Sequence, residues 1–345
     1  MESAIPPHLQ TPRTRHKRVP GDYQPPYPSF VARYKPAVSR IVMAYFGVQY
    51  RGAAPAATDA LIEIAGLFAA ENGPSHWDRA HYVDQFGHEN VVSVAYWDDV
   101  ARFDAWFAPA REAWTGSQRD GIGTFIEVLR PIVARHETLF SSPDRPEGVA
   151  AIAGGMSGEV QEHACWGGMR DRIPLSQTDA MTPGGAPELI RTGARLRVVA
   201  HDNLCLIRSG QDWSDTETSE RKLYLDDVEP VLRQGMDFLR DDGLGIGCYA
   251  NRYMRMLAAD GSVSEKSYGQ SWWKSLAALE RWAESHPTHV KIFGAAMKYL
   301  STLGPSAELR LHHEVTVAAA DEQFFEYLNC HPKTGMLAAV ETVRA

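Results

Sequence analysis

The sequence predicts an α+β fold in which helices cover one face of an antiparallel sheet. Three observations lead to this prediction. Runs rich in β-branched and aromatic residues recur along the chain, amphipathic runs with a period near 3.6 residues lie between them, and one strand-to-helix pattern occurs twice. Helices dispersed among a few long strands are typical of this fold class.

The predicted strands are apolar or alternating runs bounded by turn residues. In chain order they are SRIVMAYFGVQY (39–50), ENVVSVAYW (89–97), RLRVVAHDNLCLIRSG (195–210), GIGCYANRYMRML (245–257) and ELRLHHEVTVA (308–318). The predicted helices carry apolar residues three and four positions apart. They are PAATDALIEIAGLFAAEN (55–72), DVARFDAWF (99–107), LDDVEPVLRQGMDFLRDDG (225–243), SWWKSLAALERWAES (271–285) and PTHVKIFGAAMKYLSTLG (287–304).

The repeated pattern lies in VVSVAYWDDVARFDAWF (91–107) and EVTVAAADEQFFEYLN (314–329). Both segments read as a strand, an acidic cap and a short amphipathic helix with aromatic or apolar residues at i, i+3 and i+4. The repeated positions are Phe103, Trp106 and Phe107 in the first segment and Phe324, Tyr327 and Leu328 in the second. Two ferredoxin-like halves would form a pseudo-symmetric α+β barrel, a single domain over residues 36–345 with halves at 36–150 and 190–345.

The composition describes a folded globular protein of 345 residues, with 44% hydrophobic residues and a formal net charge of −8. Nucleic acids and anionic membranes attract basic surfaces, so neither is expected as the main partner. No apolar run approaches the roughly 20 residues that cross a bilayer. The four cysteines, which lack CxxC spacing, favour reduced thiols in a cytoplasmic protein. They are Cys165, Cys205, Cys248 and Cys330.

The first 35 residues contain basic side chains without an apolar segment behind them, so they do not read as a secretory signal. Their prolines predict an extended arm, residues 1–35, that lies over the domain or over a second subunit. A loose tail is the alternative interpretation.

Several histidines surround the last predicted helix. In SHPTH (285–289), Ser285 or Thr288 can cap the helix, and His286 reads as a capping or surface residue. His289 falls on the apolar stripe of the helix and is predicted to point inward. The residues in line with it are Ile292, Phe293, Ala296 and Leu300. From the pattern alone, His289 is either a core histidine bonded to a carbonyl group or a metal ligand.

His312 and His313 are adjacent in a predicted strand and therefore face opposite sides. His313 shares its face with apolar residues, so we predict that it is the buried one of the two. Those apolar residues are Leu309, Leu311, Val315 and Val317. Zinc held by the HxxH at 286–289 together with His313 has poor geometry, because the motif straddles a helix start and no further ligand completes it.

Two polar motifs follow predicted strands or glycine pairs. RSGQDWSD (208–215) lacks the G-x-S-x-G elbow of hydrolases, so Ser209 is either a turn residue or a hydroxyl donor at the end of a strand. Arg170 and Arg172 follow a Gly-Gly pair in CWGGMRDRIP (165–174). Each arginine could lie on the surface or direct a fixed positive charge into a pocket.

Long and specific stretches extend from near the N-terminus almost to the C-terminus. They are VPGDYQPPYP, HETLF, SGEVQEHACWGGMRDRIPLSQTD, HDNLCLIRSGQDWSD, LYLDDVEPVLRQGMDFLRD, GCYANRYMR, LERWAESHPTH, LRLHHEV and YLNCHPKTGML. Together they resemble the aldoxime dehydratases, haem enzymes that convert an aldoxime into a nitrile and water. The resemblance implies haem b, active as ferrous haem, and a homodimer whose α+β barrel is built from two ferredoxin-like halves in one chain.

Carried over by the matching motifs, the resemblance assigns five residues. The proximal haem ligand falls on His289 of SHPTH, and the distal catalytic histidine falls on His313 of LHHEV. Ser209 of RSGQDW corresponds to the serine that bonds the substrate hydroxyl. The distal arginine falls on Arg172, the second arginine of MRDR, because it lies 35 residues after Glu137 of HETLF, the associated glutamate.

In the chemistry that this resemblance implies, the aldoxime nitrogen binds ferrous iron while His313 protonates the leaving hydroxyl and then accepts the proton from carbon. Arg172 and Glu137 would adjust the charge and position of that histidine. Two alternatives stay open from the sequence. One is a haem peroxidase or chlorite-dismutase-like oxidoreductase, and the other is a haem-binding protein without catalytic activity.

Overall fold

The computed structural model describes residues 1–164 and 168–341, which form one twelve-stranded sheet with helices packed against it. The strands are β1 (Val42–Tyr50), β2 (His76–Val83), β3 (Glu89–Trp97), β4 (Ile122–Leu129), β5 (His136–Phe140), β6 (Glu188–Thr192), β7 (Arg195–Val199), β8 (Leu204–Asp212), β9 (Cys248–Leu257), β10 (Val263–Trp273), β11 (Arg310–Ala318) and β12 (Gln323–Leu328). The helices are α1 (Pro55–Ala69), α2 (Val100–Thr115), α3 (Gly168–Arg172), α4 (Thr218–Leu223), α5 (Glu229–Asp241), α6 (Leu276–Ser285), α7 (Pro287–Leu303) and α8 (Leu337–Glu341). The predicted mixture of helices with an antiparallel sheet is confirmed.

Eight of the twelve strands form two βαββαβ units with the same internal order, and β5, β12, β7 and β6 extend the sheet beyond them. In the first unit, β1, α1, β2, β3, α2 and β4 follow one another along the chain, and the strands lie side by side as β4-β1-β3-β2. In the second unit, β8, β9, β10 and β11 lie as β11-β8-β10-β9, with α4 and α5 after β8 and with α6 and α7 after β10. The units meet where β2 pairs with β9, through Ala80 opposite Met256 and His81 opposite Arg255.

The sheet curves so that the inner faces of the two units pack together. Tyr45 of β1 contacts Trp272 of β10 edge to face, at 6.2 Å between ring centroids, although three strands separate β1 from β10 in the sheet. Arg208 of β8 reaches Asp78 of β2 across the same interior, at 3.0 Å from Nη2 to Oδ2. The interior is therefore packed with side chains from both units, and the helices lie on the outer faces.

The capping of α2 and α6 illustrates how the sequence begins its helices. Asp99 accepts hydrogen bonds from the amides of Ala101 and Arg102, and Ser275 accepts one from the amide of Ala278. A side-chain oxygen before a helix satisfies amides that have no partner within the helix.

The predicted strands are found close to their predicted bounds, except that residues 195–210 split into β7 and β8. Two helix predictions are wrong in part. Residues 271–273 belong to β10, where Trp272 and Trp273 are both buried on opposite faces and hide the alternation. Residues 323–328 form β12 rather than a helix, since Phe325 and Tyr327 face the interior.

The two units have the same strand order, but the two segments that the sequence pattern paired do not correspond to each other. The segment 91–107 corresponds to β3 and α2, whereas 314–329 corresponds to β11 and β12. The equivalent elements are β1 with β8 and β4 with β11, whose side chains differ too much for the relationship to be visible in the sequence.

The N-terminal arm lies along the end of β5 and the segment that follows it. Its backbone forms bridges between Glu2 and Val160, Phe30 and Phe140, and Ala32 and Met156. Ile5, Val19 and Val31 of the arm are buried. Across residues 1–164 and 168–341, no helix combines the length and the apolar character needed to span a membrane.

Cys205, Cys248 and Cys330 carry free thiols. Burial raises the pKa of the Cys330 thiol to about 12 and raises the pKa of the Cys205 and Cys248 thiols as well. These thiols are therefore protonated and unreactive near neutral pH. Cys165 lies outside the described residues.

Candidate active site on the outer face of β5, β11 and β8

Three neighbouring strands bring three of the predicted site residues onto one face. His313 of β11 lies directly opposite Ser209 of β8. Glu137 of β5 lies opposite Val315, which is two residues beyond His313 and shares its face. Residues directly opposite in an antiparallel pair point to the same side, so Glu137, His313 and Ser209 all face the helices.

Arg172, the last residue of α3, completes an ionic cluster with Glu137 and His313. Its Nε donates to Oε2 of Glu137 at 2.6 Å, and its Nη2 donates to Oε1 at 3.2 Å. Nε2 of His313 lies 3.0 Å from Oε1 of Glu137 and 2.9 Å from Nη2 of Arg172. Arg172 and Glu137 are each 4% exposed, whereas the His313 side chain is 23% exposed. The imidazole is thus the member of the cluster that a ligand can reach.

The cluster holds opposite charges around this imidazole. Burial alone would raise the pKa of Glu137, but the charges of Arg172 and His313 and the hydrogen bonds from both outweigh it and lower the pKa to about 2. The glutamate is therefore ionised near neutral pH. A guanidinium can only donate a hydrogen bond and a carboxylate can only accept one. Nε2 of His313 can therefore donate to Glu137 whenever it carries a hydrogen, and it can accept from Arg172 only in the neutral tautomer that has its hydrogen on Nδ1.

His312, rather than His313, is the buried one of the pair, so the burial predicted from the sequence was wrong. The His312 side chain lies on the inner face over Gly210, where an added Cβ would come within 2.1 Å of Cε1 of the ring. It stacks on Phe140 at 5.3 Å between centroids. The prediction that His312 and His313 face opposite sides of the strand is correct. Both faces of β11 are covered, however, and the inner face, which carries His312, is the more enclosed one.

Arg170 and Arg172 have separate partners. Arg170 donates from Nε and Nη2 to the carboxylate of Glu280, at 3.0 and 2.7 Å, and from Nη1 to the carbonyl oxygen of Ala180. It therefore joins α3 to α6, while Arg172 reaches the cluster. Of the Gly-Gly pair that precedes them, Gly168 begins α3 and the other glycine, at 167, lies outside the described residues.

The predicted iron ligand lies on α7, which packs against α5 and α6. His286 caps this helix by accepting a hydrogen bond from the amide of Thr288, so neither Ser285 nor Thr288 is the cap. The ring of His289 is half-buried and meets Trp282 at 4.6 Å between centroids. Burial lowers the pKa of His289 to about 4 against the opposing effect of a backbone hydrogen bond to Ala283, so the imidazole is neutral near pH 7.

The apolar stripe beside His289 is only half-covered, in contrast to the inward orientation that we predicted. Among the described residues of α7, Tyr299 alone is fully buried. The stripe residues of intermediate exposure are Ile292, Phe293, Ala296 and Leu300. An apolar helix face that the chain leaves partly open, next to a neutral imidazole, can accept a large apolar ligand.

Two histidines near the cluster were not predicted. His136 is buried beside Glu137, and its Nδ1 lies 2.9 Å from Oγ1 of Thr316. Burial, together with the positive charges of Arg172 and His313, lowers the pKa of His163 to about 4 against the opposing effect of a backbone hydrogen bond to Tyr27. The only sequence signal was their presence in the motifs HETLF and SGEVQEHACW, because β5 is too short to show an alternation.

Comparisons with known proteins relate this arrangement to one family. The model of the haem-containing dehydratase family matches residues 44–336. Aliphatic aldoxime dehydratase from Pseudomonas chlororaphis is 46% identical over 98% of both chains, and the enzyme of that name from Rhodococcus erythropolis is 46% identical over 99% of both. Phenylacetaldoxime dehydratase from Bacillus sp. is 34% identical over 94% of this chain and 95% of its own.

Solved structures give the same result. A crystal structure of aldoxime dehydratase superposes with a TM-score of 0.93 at 46% identity, over 98% of this chain and 99% of the other. The structure of an aldoxime dehydratase in complex with butyraldoxime also gives a TM-score of 0.93 at 46% identity, over 98% and 96% of the two chains.

Proposed function

The chain belongs to the haem-containing dehydratase family, and from this premise we propose that it is an aldoxime dehydratase, which converts R–CH=N–OH into a nitrile and water. The observation that carries this proposal is the position of Nε2 of His313 between Nη2 of Arg172 and Oε1 of Glu137, on the face that also bears Ser209. An imidazole held by a donor and an acceptor can give and take a proton without losing its position. Dehydration requires both transfers.

Haem is the cofactor of the family, and the residues of α7 fit it. The neutral imidazole of His289 and the half-covered apolar stripe beside it are a nitrogen ligand and an apolar wall, as a porphyrin requires. We propose that the imidazole of His289 would hold the iron of haem b. In its ferrous state this haem would supply an iron that binds the aldoxime nitrogen and electron density for breaking the N–O bond.

The remaining chemistry falls to residues of the chain. Hydroxide is a poor leaving group, so the oxygen must be protonated while the N–O bond breaks. In our proposal Ser209 orients the hydroxyl group and protonated His313 donates to its oxygen, which leaves as water. The neutral imidazole then accepts the proton from the aldoxime carbon as the C≡N bond forms. One proton is given and one is taken, so His313 returns to its starting state.

Arg172 and Glu137 hold the imidazole of His313 in position during both proton transfers. When His313 is protonated, Glu137 balances its charge and accepts its Nε2–H. When Nδ1 has given its proton to the substrate, Nε2 keeps its hydrogen and its bond to Glu137, and Arg172 holds Glu137 in place through the buried ion pair. The other ring nitrogen is left for the substrate in both states, so neither transfer requires the ring to turn.

For the architecture, we propose that the two βαββαβ units are ferredoxin-like halves of one haem-binding barrel domain over residues 36–345, preceded by the arm, residues 1–35. Their strand order of β4-β1-β3-β2 supports this reading. We further propose a homodimer, after the family that the chain resembles, and a cytoplasmic enzyme, which the free thiols support because they suit a reducing compartment.

The relatives support one substrate class over another. Identity to the aliphatic aldoxime dehydratases is 46%, against 34% to phenylacetaldoxime dehydratase. We therefore propose aliphatic aldoximes as the preferred substrates.

The test uses haem-loaded protein that is reduced with dithionite under anaerobic conditions and titrated with butyraldoxime, followed by detection of butyronitrile. We expect a change in the ferrous haem spectrum on binding and one nitrile for each aldoxime consumed. Turnover of peroxide or chlorite without nitrile would instead identify an oxidoreductase. A spectral change without any turnover would identify a haem-binding protein.

A further inference from the structure

The N-terminal arm is bound to the chain segment that carries Arg172 through buried side chains. Glu162, which is 1% exposed, accepts a hydrogen bond from the amide of Ala4 at 2.9 Å and one from Nζ of Lys17 at 2.8 Å. Asp171, also 1% exposed, accepts from the amides of Arg18 and Val19, at 2.8 and 2.7 Å. Two buried carboxylates therefore hold both ends of the arm between residues 4 and 19.

A third residue holds the middle of the arm. The side chain of Gln177 accepts from the amide of Thr11 at 3.0 Å and donates to the carbonyl oxygen of Leu9 at 2.9 Å. Most of these contacts involve the backbone of the arm, so they fix its path as a strap over this segment.

The same segment fixes the guanidinium of Arg172. Nη1 of Arg172 donates to the carbonyl oxygen of Glu162 at 2.6 Å. An added Cβ on Gly168 would lie 2.9 Å from this nitrogen, so the guanidinium rests directly on the backbone at the start of α3. Asp171 precedes Arg172 in the chain. The contacts therefore run without interruption from the arm through Glu162 and Asp171 to Arg172, and from Arg172 to His313.

Only a small cavity separates the arm from the ion pair. It has a volume of about 30 Å³ and is lined by Ala4, Pro6 and Leu9 of the arm and by Glu137 and Arg172. A cavity of this size holds about one water molecule. Displacing the arm would open the buried Arg172–Glu137 pair to bulk solvent, where screening weakens such a pair and lets its side chains move.

We propose that the first part of the arm, residues 2–19, is a positioning element for catalysis. It keeps Arg172 within hydrogen-bonding distance of Glu137 and His313. This inference rests on the proposed function, because the catalytic role of His313 belongs to that proposal. The arm touches neither substrate nor haem in this scheme. It acts through Asp171 and Glu162, and its loss affects the proton transfers rather than the binding of haem.

The test compares Asp171→Ala with Asp171→Asn, which keeps an acceptor for the two amides, and with Asp179→Ala as the matched control. Asp179 lies in the same segment but bonds the amide of Met181 instead of the arm. Trypsin reports the state of the arm, because its bonds at Arg13, Arg15, Lys17 and Arg18 lie within the strap. We expect Asp171→Ala to be cleaved there roughly tenfold faster than wild type, since cleavage follows local opening.

In the same variant we expect kcat for butyraldoxime to fall about tenfold or more, because small displacements of catalytic groups cost that much. KM, haem content and the ferrous spectrum should stay unchanged, and Asp171→Asn and Asp179→Ala should behave as wild type. Faster cleavage with unchanged kcat would overturn the positioning role. If Asp171→Ala alone leaves the rate of trypsin cleavage unchanged, the double variant Asp171→Ala/Gln177→Ala is tested. An unchanged cleavage rate in the double variant would show that these side chains do not hold the arm.

The two proposals fail in different ways. If wild-type protein produces no nitrile, the proposed function is wrong, and with it any effect of the arm on turnover. The attachment of the arm is still read from trypsin cleavage, which needs no turnover.

Discussion

Arg172 and Glu137 form a two-point ion pair inside the protein, with Nε to Oε2 at 2.6 Å and Nη2 to Oε1 at 3.2 Å. The planar guanidinium matches both carboxylate oxygens, which fixes its orientation as well as its charge. Because Oε1 and Nη2 both also reach Nε2 of His313, the geometry of the pair determines where that imidazole lies.

Arg172→Lys should lower kcat strongly, because an ammonium group cannot reproduce the two-point contact and hold His313 at the same time. We expect a loss of about 10² with haem content unchanged. Arg170→Lys is the matched control, since Arg170 makes the same kind of contact with Glu280 two residues earlier. Steady-state kinetics give kcat for the two variants, and absorbance spectra give their haem content. Equal losses of kcat in the two variants would show that Arg172 acts only through the fold.

His289→Ala should abolish or misligate haem binding, because the variant lacks the nitrogen that we assign to the iron. The measurement is Soret absorbance per protein after haem loading, together with the spectrum of the reduced form. His286→Asn is the control, as asparagine also caps helices well and leaves α7 intact. A normal ferrous spectrum in His289→Ala would remove this residue from the haem site.

The sequence predicted some of the long elements well and missed others. The runs 39–50 and 89–97 became β1 and β3 because their flanking turns and β-branched residues agree with the fold. β5 and β12 were missed or misread, since five or six residues show too little periodicity and tertiary pairing determines their structure. β2, β4 and β10 lie inside the sheet and were not predicted as strands either, so the position of a strand in the sheet did not decide whether it was predicted.

The site shows the same division. The motif resemblance named Glu137, Arg172 and His313, which the fold brings within hydrogen-bonding distance although 176 residues separate the first from the last. The burial of His312 could not be predicted, because it depends on a polar interior formed by side chains from both units, among them Arg208 of the second unit and Asp78 of the first. Alternation along a strand identifies its two faces but does not indicate which one is more enclosed.

His313→Ala should lose activity while it keeps haem. General acid and base transfer contributes about 10²–10⁴-fold in typical enzymes, and the loss of kcat should fall in that range. His81→Ala is a matched control, because His81 also pairs with a carboxylate, Glu89, but lies in the first unit. Nitrile formation and the reduced-haem spectrum are measured together. A wild-type kcat in His313→Ala would show that His313 is not the proton donor.

Ser209→Ala should weaken the orientation of the substrate hydroxyl. Losing one hydrogen bond of about 1 kcal/mol predicts a fall in kcat/KM of roughly fivefold to tenfold. Ser271→Ala is the comparison, since Ser271 lies on β10 and bonds Asn251. Kinetics with butyraldoxime at several concentrations separate kcat from KM. An unchanged kcat/KM would show that the serine is only a strand residue.

Glu137→Gln should remove a specific part of the pH dependence of stability. The pKa of Glu137 is about 2 in the folded protein against an ordinary value of 4.5. A carboxyl group with a lowered folded-state pKa stabilises the fold above its unfolded pKa, and this contribution is lost as the pH falls through the folded value. The free energy of unfolding of wild type should therefore exceed that of Glu137→Gln by about 3 kcal/mol at pH 6, because the variant leaves a buried arginine unpaired.

This difference should shrink steadily as the pH falls from about 4.5 toward about 2, because protonation then neutralises the carboxylate in wild type as well. Urea unfolding of wild type and variant at pH 6, 4 and 3 measures it, with haem content checked at each pH. Glu112→Gln is the control, as Glu112 is 68% exposed in its ion pair with Arg195 and should change stability by less than about 1 kcal/mol. A difference that stays constant over this range would mean that the Glu137 carboxyl is not held ionised by Arg172 and His313.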